Sequence, residues 1–250
     1  MRIFSFYLLF ISLLFQGCLE KNNNSFNGKN ISINSEIKVD SSIINFYLPY
    51  KSKLQQGLMN KPISYSLGTY KKNDGILNSS LGNMFADATY DLINPIFKDK
   101  TGNSIDVVLL NNGGIRSIIS QGPVSEKTAF ELMPFENSIV IVKLDGNSIK
   151  KMVDYLVKVR LPHPIKGLEI ILNKDYSVES VLLNNNLIDE NKNYFVATTD
   201  YLLDGGDKMY FLAESKETTI IDYKMRDVLI DYFIKTDTLK LKTDNRFIIN

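Results

Sequence analysis

Histidine, cysteine and net charge are what this 250-residue sequence has least of, and each scarcity removes a class of function. Its single histidine, His163, stands between Pro162 and Pro164, with no dense Asp/Glu cluster at ligand spacing to accompany it. Histidine-rich metal centres, which gather several imidazole or thiolate ligands, are therefore out of reach, leaving at most a carboxylate site. Neither a Gly-x-Ser-x-Gly nucleophile elbow nor a Gly-x-x-x-x-Gly-Lys-Ser/Thr phosphate loop occurs. With 29 basic and 28 acidic residues the formal charge is +1, far from the broad positive field of a nucleic-acid binder. Nucleic acid is not the expected partner, and any anion site has to be local.

The only cysteine, Cys18, follows a short basic start (Met1-Arg2), an apolar run of thirteen residues from Ile3 to Phe15, and Gln16-Gly17. A membrane span needs roughly 20 apolar residues, so residues 1–17 read as a secretory signal. A lone exported cysteine has no partner for an internal disulfide. Gly17-Cys18 resembles a bacterial lipobox, which implies a lipidated Cys18 and a protein anchored through its N-terminal lipid to the cell envelope, at the periplasm or the cell surface. The plainer alternative is an ordinary cleaved signal with an incidental thiol. Residues 18–36, rich in Asn, Ser and Gly, read as a flexible tether. Residues 37–250 read as one domain, because a chain 44% hydrophobic can bury a substantial core at this length.

Within that domain the periodicities alternate. Val39, Ile43, Tyr47, Leu54 and Leu58 have helical spacing, with Asp40-Ser41 available as a cap and Pro49 expected to kink or interrupt the helix. Leu81, Phe85, Ala88 and Leu92 mark one face of a second helix, preceded by Ser79-Ser80 and expected to end near Asn94-Pro95. Both stripes are read as core. Strands are expected at Ile105–Leu110, Ser138–Leu144, Leu168–Leu172, Val178–Leu183 and Tyr194–Thr198, with Asn184-Asn185-Asn186 as a hairpin turn. Asp145-Gly146 turns the chain into a helix carrying Ile149, Met152, Val153 and Leu156, and Asp222 is placed to cap a last helix with Met225, Val228, Leu229, Tyr232 and Phe233. Leu239–Lys242 and Arg246–Ile249 read as closing strands. Helices mixed with both hairpin and crossover spacings predict an α+β fold with a mixed sheet.

Two stretches carry the chemistry: Asn111-Asn112-Gly113-Gly114-Ile115-Arg116, running on to Pro134-Phe135-Glu136-Asn137, and Asp200-Tyr201-Leu202-Leu203-Asp204-Gly205-Gly206-Asp207. The Asn111 amide offers two donors and an acceptor to a heteroaromatic edge. Gly113 and Gly114 permit positive backbone angles and a close approach of main-chain N–H groups to a ligand, although a plain tight turn explains them as well. Arg116 has the planar fork suited to phosphate or carboxylate, or is an ordinary surface arginine. Phe135 and Tyr201 have the character of two walls of a base-stacking slot, each being core if taken alone. Asp207 is a carboxylate suited to paired hydroxyls such as those of a ribose, or a turn former.

In this order these motifs, together with Ser80-Leu81-Gly82-Asn83-Met84-Phe85-Ala86-Asp87-Ala88, Gly167-Leu168 and Ala197-Thr198-Thr199, resemble the C-terminal substrate-recognition domain of the 5'-nucleotidase family, which includes UDP-sugar hydrolases and 2',3'-cyclic-nucleotide phosphodiesterases. The resemblance runs from about Ser41 to the end. It implies an α+β domain that binds the nucleoside part of an AMP-like nucleotide. By the match Phe135 and Tyr201 form the stacking pair, Asn111 and Asn137 contact the base, Asp207 the ribose, and Arg116 the phosphate side. It departs from the family where Asn112 replaces a glycine of the Asn-Gly-Gly-Gly turn, where Tyr201 stands for the commoner Phe, and where Asp74–Asn78 lacks an arginine that Lys71 or Lys72 would have to replace. It implies no catalytic residue, metal or cofactor in this chain, since the family's divalent metals belong to a metallophosphatase domain. Two functions are then open: nucleotide recognition in nucleotide catabolism beside a separate metallophosphatase chain, or a non-catalytic surface lipoprotein that binds nucleosides or nucleotides.

Overall fold

The computed structural model describes residues 28–56 and 61–250, so Cys18, the signal segment, the start of the tether and Leu58 lie outside the described residues. Two compact units are formed, one ending at Tyr47 and one spanning Leu48–Asn250. Before the first helix, residues 28–40 have no regular structure beyond a turn and are exposed. That helix, α1 (Ser41–Gln56), is capped as expected, the Asp40 carboxylate accepting from the Ser42 N–H at 2.8 Å. It runs on through Pro49 rather than breaking there. The carbonyl that loses its partner belongs to exposed Asn45, where water can satisfy it. The described members of the expected core stripe are not buried, Val39 being 63% exposed, Ile43 61% and Tyr47 40%.

The centre of the larger unit is a five-stranded sheet whose members are β2 (Val107–Leu109), β4 (Ser138–Asp145), β5 (Ile165–Lys166), β8 (Asn193–Thr199) and β9 (Thr218–Lys224), in the order β5-β2-β8-β4-β9. β2 and β8 are parallel, and the other pairings are antiparallel. The two-residue period of a strand sends alternate side chains to opposite faces. Val108, Ile139, Ile141 and Ala197 enter one apolar cluster, whereas Val107, Leu109, Val142, Leu144 and Val196 enter another. Each cluster is closed by helices, so the sheet is buried on both faces, which explains its near-continuous apolar strands.

Helices α2 (Ser80–Thr101), α3 (Glu126–Leu132) and α6 (Met225–Lys235) cover the first face, and α4 (Gly146–Val159) with the single turn α5 (Asp200–Leu203) the second. α2 begins where Ser79 Oγ accepts from the Gly82 N–H at 3.0 Å, and continues seven residues past the expected stop at Asn94. Pro95 lies on its exposed side and the carbonyl it orphans is that of exposed Asp91, while continuing the helix buries Phe97 completely. Asp145 caps α4 as expected, accepting from the Ser148 N–H at 2.9 Å, and the buried side holds Ile149, Met152, Val153 and Leu156. Asp222 does not cap α6. It lies within β9, whose pairing with β4 extends to Lys224, and the Met225 N–H is held by the Asn137 carbonyl at 2.9 Å, which fixes the helix start there.

Two smaller sheets complete the unit. β1 (Pro62–Ser66) lies between β3 (Gly122–Ser125) and the short β10 (Thr238–Leu239), and β6 (Leu168–Leu172) lies between β7 (Val178–Leu183) and β11 (Phe247–Ile249). Asn184 and Asn185 do make a tight turn, with φ of 48° and 62° and reciprocal Leu183–Asn186 hydrogen bonds. The chain then leaves for the central sheet instead of returning along β7, so the hairpin partner of β7 is β6. The result is the expected α+β architecture of mixed sheets packed with helices.

Candidate functional site

Strand order brings the two motif stretches together. β2 and β8 are parallel neighbours, so Asn111–Arg116 and Tyr201–Asp207 leave the sheet at the same edge, beyond the C-terminal ends of both strands. β4 runs antiparallel to β8 with Ile139 opposite Thr199, which places its N-terminal approach, Phe135–Asn137, at that edge too. Asp200 fastens the junction, accepting from Asn137 Nδ2 at 3.2 Å and from the Ser138 N–H at 3.1 Å. Crevices of this kind, outside strand C-terminal ends, are recurrent ligand sites.

A cavity of about 500 Å³ opens there, lined by Asn111, Gly113, Gly114, Arg116, Phe135, Asn137, Tyr201 and Asp207, with Glu136 added. All eight positions singled out from the sequence border one space. Phe135 and Tyr201 are 42% and 46% exposed, so two aromatic rings border the cavity with open surface. Their rings are not in contact with each other; Arg116 lies over Phe135 with its guanidinium carbon 5.8 Å from the ring centre. Arg116 Nη1 donates to the Gly113 carbonyl at 3.3 Å, and the side chain makes no ion pair among the described residues.

Asp207 is the hub of the polar contacts. Its Oδ2 accepts from Asn111 Nδ2 at 2.8 Å and its Oδ1 from the Tyr201 hydroxyl at 3.2 Å, so one carboxylate joins both motifs. The turn that presents it needs its glycines: Gly205 has φ of 90°, and a Cβ on Gly206 would lie 2.4 Å from Tyr201 Cε1. Asp207 itself has φ of 50°, a conformation that Asp tolerates better than most residues.

Gly113 and Gly114 behave otherwise than expected, for neither has a positive φ. Residues Asn112–Gly114 form one turn of 3-10 helix with ordinary angles. Gly114 is small because Asn111 folds over it, a Cβ there falling 2.8 Å from Asn111 Oδ1, whereas a Cβ on exposed Gly113 would make only ordinary contacts. Asn112, at the unusual position, donates through Nδ2 to the carbonyls of Lys72 (3.1 Å) and Pro162 (3.2 Å), and so braces the turn. Lys72 is tied back to the same turn, donating to Ile115 O at 2.9 Å, and does not replace the missing arginine in the cavity lining.

Sequence reasoning passed over four supports. Glu136 lines the cavity and pairs with the buried Arg226, whose guanidinium also covers Phe130; that arginine holds the Glu136 carboxyl below its ordinary value. Behind the cavity, the Tyr155 hydroxyl donates to the Asp207 carbonyl at 2.8 Å and the Asn112 N–H donates to His163 Nδ1 at 3.2 Å. Nothing local in the sequence marks these residues, since their partners lie 51 to 90 positions away.

Residues 61–214 match the family described as 5'-nucleotidase, C-terminal domain. The chain belongs to that family. Among relatives of the 5'-nucleotidase C-terminal domain in this chain, the cell wall protein Lmo0130 of Listeria monocytogenes is 30% identical over 183 residues, covering 66% of this chain and 23% of the relative. Protein UshA of Escherichia coli is 30% identical over 115 residues, or 44% of this chain and 20% of UshA. Solved structures share the fold: a 5'-nucleotidase precursor of Thermus thermophilus superposes with a TM-score of 0.67 at 19% identity, over 83% of this chain and 42% of that one. An NAD nucleotidase of Haemophilus influenzae gives 0.62 at 19% identity, over 84% and 42%. The chain thus spans less than half the length of these relatives.

Proposed function

We propose that this 5'-nucleotidase C-terminal domain binds an AMP-like nucleotide in the cavity at the edge of β2, β8 and β4, and serves nucleotide catabolism beside a separate metallophosphatase chain. The observation that carries the reading is the convergence of Asn111, Arg116, Phe135, Asn137, Tyr201 and Asp207, from three separated segments, on one cavity. Two exposed rings suit the faces of a base, Asn111 and Asn137 its edge, Asp207 the ribose hydroxyls, and Arg116 the phosphate. The cavity offers recognition and positioning. A partner chain supplies the divalent metals, whose chemistry would be to activate water and stabilise charge on the phosphoryl group. Lipidation at Cys18 would hold the chain at the cell envelope, where exported nucleotides are met.

Calorimetric titration with AMP and adenosine tests the recognition step. Binding is expected for both, and Phe135→Ala is expected to weaken AMP by about tenfold or more, the usual cost of a lost base stack. Absence of AMP binding, or indifference to Phe135→Ala, would sink the reading. Hydrolysis of AMP by this chain with and without metallophosphatases of the same organism separates the two functions. A rate that rises only with a partner supports the catalytic pairing; tight binding with no such rise favours a surface nucleotide-binding lipoprotein.

A further inference from the structure

His163 is the only histidine of the chain, 3% exposed, and the recognition chemistry makes no direct use of it. Its Nδ1 accepts the N–H of Asn112, the first residue of the turn that carries Gly113 and Gly114. Its Nε2 is buried with no partner among the described residues. Its ring lies against Tyr155, centroids 5.8 Å apart, and Tyr155 in turn meets Phe211 at 5.7 Å. The Tyr155 hydroxyl in turn holds the carbonyl of Asp207, whose side chain faces the cavity. Each turn is therefore gripped by its backbone, from behind, by one member of a single ring pair, of which His163 is buried and Tyr155 half-buried. On the cavity side the same two turns meet through the Asn111–Asp207 hydrogen bond.

We propose that His163 and Tyr155 are a positioning pair that locks the Asn111–Arg116 turn and the Tyr201–Asp207 turn into one rigid unit, so that the base-side and ribose-side contacts of the cavity are set together. The inference rests on the nucleotide reading above for its consequence in binding, and on the hydrogen bonds alone for the coupling. An imidazole suits the place because Nδ1 is an acceptor at the height of a short side chain while the ring still packs on Tyr155. An aliphatic residue would fill the space and leave the Asn112 N–H without its partner. Asparagine presents Oδ1 near the position of Nδ1 and restores that acceptor.

The test uses the full chain and two readouts. Amide hydrogen exchange, which needs no ligand, is expected to quicken in His163→Leu at Asn112 and also at Lys208 and Met209 across the ring pair. Tyr155→Leu is expected to give the reciprocal result, quickening at Asn112 as well as at Lys208; it and His163→Asn carry the test should His163→Leu fail to fold. AMP affinity is expected to fall about tenfold in His163→Leu, the scale of one buried hydrogen bond left unmade, and to return to within about threefold of the parent in His163→Asn. Exchange that quickens on one turn alone overturns the coupling, and His163→Asn performing no better than His163→Leu overturns the role of the acceptor. If the parent binds no AMP while exchange still spreads across both turns, the coupling stands and the nucleotide reading falls.

Discussion

At the scale of single residues, the hydroxyl of Tyr201 gives an unusual choice a physical reason. A phenylalanine would stack equally well, but it could not donate to Asp207, and Asp207 also receives Asn111. Tyr201→Phe is expected to weaken AMP about two- to tenfold, the net worth of one hydrogen bond, and Tyr201→Ala by more, because the stacking surface goes too. Calorimetry returning equal losses for the two variants would assign the effect to the hydroxyl alone. Gly206→Ala has no room, its Cβ meeting both the Tyr201 ring at 2.4 Å and the Tyr201 carbonyl at 2.5 Å. It is expected to cost about 1–3 kcal/mol of stability and to displace Tyr201, read by urea denaturation and by AMP titration. Asn111, Arg116, Tyr201 and Asp207 were legible in the sequence because each carries polar or aromatic chemistry beside a glycine turn, and Phe135 and Asn137 through the Pro-Phe-Glu-Asn motif of the resemblance. Glu136, Tyr155 and His163 were not, since their partners are set by tertiary packing.

At the scale of elements, hydrophobic spacing located α2, α4, β6 and β7, and side-chain caps located the starts of α1, α2 and α4, whereas the short α3 with its Ser125–Thr128 capping box was not expected. Prolines misled twice, at Pro49 and Pro95. In each case one orphaned carbonyl at an exposed residue is a small loss, and at Pro95 the full burial of Phe97 outweighs it. The end of α2 is set instead by Gly102, which closes it in the left-handed conformation with its N–H on the Lys98 carbonyl. The expected closing strand at Leu239–Lys242 shrinks to Thr238–Leu239, the residues that find β1 alongside. At the other end of α2, Ser79→Ala is expected to cost about 1 kcal/mol by loss of the Gly82 cap, seen as a lowered denaturation midpoint with an unchanged denaturant slope. A comparable loss of AMP affinity at saturating stability would show that the cap does more than start a helix.

At the scale of the whole molecule, alternation and helix spacing point to a mixed fold, yet strand order is not written in any local pattern. That β8 inserts between β2 and β4, and so aligns three distant segments, follows from which apolar faces match on both sides of the sheet. Global stability should also report on the one histidine. Burial lowers the His163 pKa from 6.5, against smaller opposing pulls from the Leu110 carbonyl and the Asp207 carboxylate. The unfolded chain therefore takes up this proton at a higher pH than the folded one. The stabilisation from a neutral His163 is fully present above 6.5 and declines as pH falls below it, levelling off under the folded value. The hydrogen-bonded carboxyls Glu136, Asp145 and Asp244 are all lowered below their ordinary values and lose stability only in more acid solution. Denaturation midpoints are expected to drop between about pH 7 and 5 in the parent and to stay flatter in His163→Asn over that window. Equal slopes in both proteins would remove His163 from the account.

The tight turn at Asn184-Asn185 has a practical meaning beyond topology. It divides the chain so that β2, β4 and the residues from Asn111 to Asn137 precede it, while β8, Tyr201 and Asp207 follow. A polypeptide cut at this exposed turn would carry one wall of the cavity on each piece, joined by backbone pairing of β8 with both of its neighbours. Capture of the proposed nucleotide would then report the reunion of two fragments, turning one domain into a sensor of its own assembly.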